Sequence, residues 1–120
     1  MARILVVDDS VVDRQVIINA LAPKGHSMIE AVDGEEAEAK ANTVKPDLII
    51  LDVVMPKKNG FEVCRAIKQN PATSTIPIIM LTSKNQDSDR FWGMKQGASE
   101  YITKPFNEDI LIQVVGKYVK

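Results

Sequence analysis

Two kinds of apolar pattern alternate along this chain. Short unbroken apolar runs stand at Ile4–Val7, Leu48–Leu51 and Ile78–Leu81. They contain β-branched side chains and are bounded by turn or polar residues, as expected of strands covered on both faces. Two weaker strand segments fall at Ser27–Ala31 and Glu100–Thr103. Helical spacings lie between them. Val12, Val16 and Ala20 share a face, with Ile17 and Leu21 alongside. Ala37, Ala41 and Val44 follow the Asp33-Gly34 turn, and Phe61, Cys64 and Ile67 follow Asn59-Gly60. Phe91 and Met94 mark a fourth helix closed by Gly97, and one of Phe91 and Trp92 is expected to face the core. Ile110, Leu111, Val114, Val115 and Tyr118 form the last stripe. Such spacings gather apolar groups on one side of each helix.

The order is strand then helix, repeated along the whole chain. Parallel strands need crossover connections, and those crossovers are right-handed. The expected fold is therefore a three-layer, doubly wound (βα)5 arrangement in the α/β class. With 120 residues and 45% apolar content, residues 1–120 are expected to form one domain with a real core.

Charge narrows the possible partners. Fifteen basic and sixteen acidic residues give a net charge of -1, which makes no electrostatic case for nucleic acid or a membrane surface. No apolar stretch is long enough to span a bilayer, and the run after Met1-Ala2-Arg3 is too short for a signal peptide. A cytoplasmic protein without membrane insertion is expected. Cys64 has no partner for an internal disulfide or a zinc site and reads as a small buried helix residue. His26, between Gly25 and Ser27, reads as a loop residue.

The chemistry gathers at strand ends. Open parallel sheets bind ligands outside the carboxyl ends of their strands. There this chain has Asp8-Asp9 after the first strand, Asp52 after the third, Thr82-Ser83 after the fourth and Thr103-Lys104-Pro105 after the fifth. Any one of these could simply be a polar strand end. Together they would bring three carboxylates, a hydroxyl and an ammonium to one edge. Carboxylates so crowded repel unless a cation is present, and a hard divalent ion such as Mg²⁺ takes oxygen ligands. The set suits the holding of a phosphoryl group.

Asp8-Asp9, Asp52 followed by Met55-Pro56 and Asn59-Gly60, Thr82, and Lys104-Pro105-Phe106 resemble the receiver domain of two-component response regulators. The match runs from about Arg3 to Val119, and the chain resembles the stand-alone, CheY-like members. This resemblance implies a flavodoxin-like sheet of strand order 2-1-3-4-5. It implies that Asp52 accepts a phosphoryl group from a histidine kinase, CheA-like or other. It also implies that Asp9, Asp52 and the Val54 backbone carbonyl ligate Mg²⁺, with Asp8 acting through water. Thr82 and Lys104 would then hold the phosphate, and Tyr101 would be the switch aromatic. A cis Lys104-Pro105 bond is implied as well. The fourth helix, fifth strand and fifth helix would form the readout surface for an output or motor protein, the receiver itself being a monomer. A narrower resemblance joins Lys84–Ala98 to regulators of the PilH/PilG type, which serve pilus-based twitching motility and phototaxis.

Three other readings fit less well. Phosphatases of the haloacid-dehalogenase type need a second acid two residues after the nucleophile, and this chain has Val54 there. A flavin-nucleotide binder would want a hydroxyl- and glycine-rich loop where Asp8-Asp9-Ser10 stands. A degenerate docking module, or a phosphate sink without its own output, is the remaining alternative.

Overall fold

The computed structural model describes residues 2–119. Five parallel strands form one sheet in the order β2-β1-β3-β4-β5. They are β1 Arg3–Val7, β2 Ser27–Ala31, β3 Leu48–Leu51, β4 Ile78–Thr82 and β5 Glu100–Thr103. The helices between and after them are α1 Val11–Leu21, α2 Gly34–Val44, α3 Gly60–Gln69, α4 Asp87–Lys95 and α5 Glu108–Gly116. A short 3₁₀ turn, Ala22–Lys24, extends α1. The doubly wound flavodoxin-like order expected from the sequence is the one observed.

Alternation along the strands divides the core in two. Leu5, Val7, Ile49, Leu51, Ile78 and Met80 pack with Ala37, Ala41, Val63, Cys64 and Ile67 from α2 and α3. Ile4, Val6, Leu48, Ile50, Ile79 and Leu81 pack on the other face with Ile17, Ala20, Leu21, Leu111 and Val115 from α1 and α5. A strand covered on both sides has no polar position, so its sequence reads as an unbroken apolar run.

Three helix faces differ from the spacing argument. On α5, Ile110 is exposed and the buried residues are Leu111 and Val115. On α1, Val12 and Val16 are exposed and the buried arc is Ile17, Ala20 and Leu21. At about 100° per residue the valines lie just off that arc. On α4, Phe91, Trp92 and Met94 are all exposed, so neither Phe91 nor Trp92 enters the core. The buried residue of α4 is Gly93. A Cβ there would lie 2.8 Å from the Met80 Sδ and 2.9 Å from the Tyr101 ring. The helix approaches the sheet through its bare backbone, and its large apolar side chains are turned outward.

Candidate functional site

The strand ends β1, β3, β4 and β5 open on one edge. The aspartates Asp8 and Asp9 follow β1, and Asp52 follows β3. Register places Val7 beside Leu51, so Asp8 and Asp52 leave the sheet as neighbours. Carboxylate oxygens of Asp8, Asp9 and Asp52 lie within 4.8 Å of one another. Asp8 and Asp52 are buried and Asp9 is exposed, so the cluster has one open side.

Local sequence fixes each member. Asp8 accepts a 2.9 Å hydrogen bond from the Ser10 amide, and Ser10 caps α1 by accepting from Asp13 N at 3.2 Å. The Arg14 guanidinium donates to the Asp8 carbonyl at 2.7 Å. The Asp52 Oδ1 accepts from the Val54 amide at 3.2 Å. Behind Asp52, the Gly60 amide donates to the Val53 carbonyl at 2.9 Å. A side chain at Gly60 would collide with the Asp52 carbonyl, so glycine is what lets α3 start this close to the strand end. Asn59 completes a capping box with Glu62 at that start.

The cation of the site is Lys104. Its Nζ lies 2.7 Å from Asp8 Oδ2, 2.7 Å from Asp13 Oδ2 and 3.2 Å from Asp52 Oδ2. Burial alone would lower its pKa, but bonds to Asp13 and Asp8 and the field of Asp52 outweigh burial and hold it above the ordinary lysine range. Asp8 moves the other way from an ordinary paired acid. Its burial outweighs the lowering by Lys104 and Ser10, and the neighbouring Asp52 charge adds to the rise. An acid so placed gains from a further cation. The Lys104-Pro105 peptide is cis, as expected.

Around this centre stand the remaining expected residues. Thr82 ends β4, fully buried, and its Oγ1 accepts a long 3.4 Å bond from the Lys84 amide. The Tyr101 ring is buried, with its hydroxyl donating to the Lys84 carbonyl at 2.8 Å. Arg90 on α4 lies 5.3 Å from that ring's centre and donates to the Tyr101 carbonyl at 2.9 Å. Exposed Val54 and Lys84 line a cleft beside Asp52 together with Met55, Asn59 and Phe61. The fold thus brings Asp8, Asp9, Asp52 and Lys104 together, with Thr82, Val54 and Tyr101 around them. The sequence reading missed Asp13. An acid in the first helical turn is ordinarily a partner for the helix dipole, and only its place one turn after Asp9 hinted at more.

Comparison with known proteins decides the family. The response regulator receiver domain model matches residues 4–116. The chain belongs to the response regulator receiver family. PilH of Pseudomonas aeruginosa is 41% identical over 115 residues, which cover 96% of this receiver and 95% of PilH. The alkaline phosphatase synthesis regulator PhoP of Bacillus subtilis is 46% identical over 105 residues, covering 88% of the receiver and 43% of PhoP. The chemotaxis protein CheY4 of Vibrio cholerae superposes with a TM-score of 0.91 at 36% identity, covering 99% of each chain. The receiver is a module of two-component signalling, and its acidic pocket is of the kind that takes a divalent cation. Among the described residues, no helix is long and apolar enough to cross a membrane.

Proposed function

We propose that Asp52 is the phosphoryl acceptor of this receiver. In the transfer, an Asp52 oxygen bonds to phosphorus as the P–N bond to a histidine of a partner kinase breaks. Such a reaction asks the protein for positioning and charge rather than for covalent chemistry. The residues fit Mg²⁺: Asp9, Asp52 and the Val54 carbonyl would hold it, with Asp8 reached through water. Bound there, the ion supplies positive charge to the transferring group. Lys104 supplies the second positive charge and the Thr82 hydroxyl a hydrogen bond to a phosphoryl oxygen. The observation that carries this reading is the convergence of Asp8, Asp9 and Asp52 within 4.8 Å, with Lys104 on Asp8 and Asp52.

The acyl phosphate then lasts long enough to signal. Val54, 54% exposed, stands where a phosphatase would keep an acid to activate water. The protein is a switch rather than a turnover enzyme. Phosphorylation draws Thr82 inward, Tyr101 follows, and the α4, β5 and α5 surface changes for a partner. The match to PilH over nearly the full length of both chains supports a role in pilus-based motility or chemosensory signalling. In this reading residues 1–120 are one cytoplasmic receiver domain, a monomer that meets its kinase and its output protein in turn.

Acetyl phosphate with Mg²⁺ tests the assignment. Intact-protein mass spectrometry should show one added phosphoryl group, lost in Asp52→Asn. Equal labelling of the variant would remove Asp52 from the role.

A further inference from the structure

Lys104 has one partner too many for a lysine that serves only the acidic cluster. An ammonium has three N–H donors and accepts nothing. Here Asp8, Asp52 and Asp13 occupy them, at 2.7, 3.2 and 2.7 Å. Asp8 and Asp52 belong to the trio of acids suited to a metal, and Asp13 does not. Asp13 comes from α1, with its side chain 42% exposed, and its carboxylate reaches the cluster through the lysine. Its bond to Lys104 is shorter than the one from Asp52.

We propose that Asp13 is a restraining residue: its carboxylate holds the Lys104 ammonium toward α1 and thereby slows phosphoryl acceptance at Asp52. The inference rests on the reading of Asp52 as acceptor. Two physical effects act in the same direction. A phosphoryl oxygen can take a Lys104 donor only if one carboxylate gives it up, and of the three Asp13 is the one outside the acidic trio. Asp13 also adds negative charge beside the path of an anionic phosphoryl donor, which like-charge repulsion penalises. Its partial exposure keeps both effects modest and sensitive to salt.

The test compares wild type, Asp13→Asn and Asp13→Glu, phosphorylated by acetyl phosphate with Mg²⁺. Asparagine keeps shape and an acceptor oxygen but removes the charge, and glutamate restores it. Asp13→Asn should be phosphorylated about two- to fivefold faster, the worth of one partly exposed ion pair. Asp13→Glu should return toward the wild-type rate, and the gain of Asp13→Asn should shrink as ionic strength rises. A tighter beryllofluoride complex in Asp13→Asn should accompany the faster rate. An unchanged or slower Asp13→Asn, with wild type labelled normally, overturns the restraint. Failure of wild type to label at all would instead strike the acceptor reading. Thermal unfolding of all three proteins separates these outcomes from simple loss of fold.

Discussion

The Tyr101 hydroxyl donates a 2.8 Å hydrogen bond to the Lys84 carbonyl, tying β5 to the loop between β4 and α4. That loop begins immediately after Thr82. Movement of the loop and movement of the ring are therefore coupled through one bond. Burial raises the phenol's pKa to about 12, with Asp89 adding to the rise, so the hydroxyl remains a donor throughout the physiological range. Tyr101→Phe should cost about 1 kcal/mol or less, since water can replace the donor at an exposed loop. Urea unfolding measures that cost. Beryllofluoride should change the ring resonances of Tyr101 in the wild type, and identical spectra with and without it would uncouple the ring from the switch.

Gly93 sets how close α4 sits to that ring. Alanine ordinarily favours a helix by about 1 kcal/mol over glycine. Here its Cβ would press on the Met80 Sδ and on the Tyr101 ring. Overpacking of this kind costs about 1–3 kcal/mol, so Gly93→Ala should destabilise in spite of propensity. A raised midpoint in chemical unfolding would contradict the close contact. The same helix displacement should alter the fluorescence of Trp92, the chain's single tryptophan.

Gly93 also explains where the sequence was hard to read. Periodicity counts side chains, so it put one of Phe91 and Trp92 on the core side of α4, whereas the inner residue there has no side chain at all. The strands were legible because β1, β3 and β4 are covered on both faces and leave unbroken apolar runs. The acids at their ends were legible for a topological reason: parallel strands all deliver their carboxyl ends to one edge. Asp13 was not, because its contact with Lys104 spans 91 positions and depends on how α1 leans over the sheet. Nothing local to a helical first turn distinguishes an acid facing solvent from one that reaches a distant lysine.

The buried Asp8 carboxylate should make the metal-free protein less stable at neutral pH than its neutral counterpart. Its folded pKa is raised above the ordinary 3.8, chiefly by burial. Below 3.8 the carboxyl is protonated in both states and the folded form carries no penalty; as pH rises through the folded value, that favourable contribution is lost. Asparagine imitates the protonated form. Asp8→Asn should thus be more stable at pH 7 without metal, and the gap should close as pH falls toward 4. Parallel denaturation curves at several pH values measure the gap. A gap that widens on acidification would show that pairing with Lys104, not burial, dominates.

Added Mg²⁺ should reverse that order. An ion that binds only the folded state stabilises it by about 2.7 kcal/mol at a hundredfold excess over its dissociation constant. The wild type should gain in melting temperature with Mg²⁺ concentration, while Asp9→Asn should gain much less. Asp9 is the exposed member of the cluster, so its removal should cost the fold little and the ion a great deal. Monovalent salt at matched ionic strength controls for screening. Equal gains in the two proteins would place the ion elsewhere.

Thr82 offers the sharpest separation of phosphoryl acceptance from switching. Its hydroxyl is fully buried, yet among the described residues it is held only by the 3.4 Å contact with the Lys84 amide, a weak bond at that length. A weakly held hydroxyl is free to turn toward a new oxygen. Thr82→Ala should therefore lose no more than about 1 kcal/mol of stability and should still accept a phosphoryl group at Asp52. What it should lose is the beryllofluoride-dependent change at Tyr101, because the loop after β4 is no longer drawn inward. Thr82→Ser keeps the hydroxyl and should keep the change. Mass spectrometry reports the first property and NMR of the Tyr101 ring the second. If Thr82→Ala shows the full ring response, the route from Asp52 to Tyr101 does not run through Thr82.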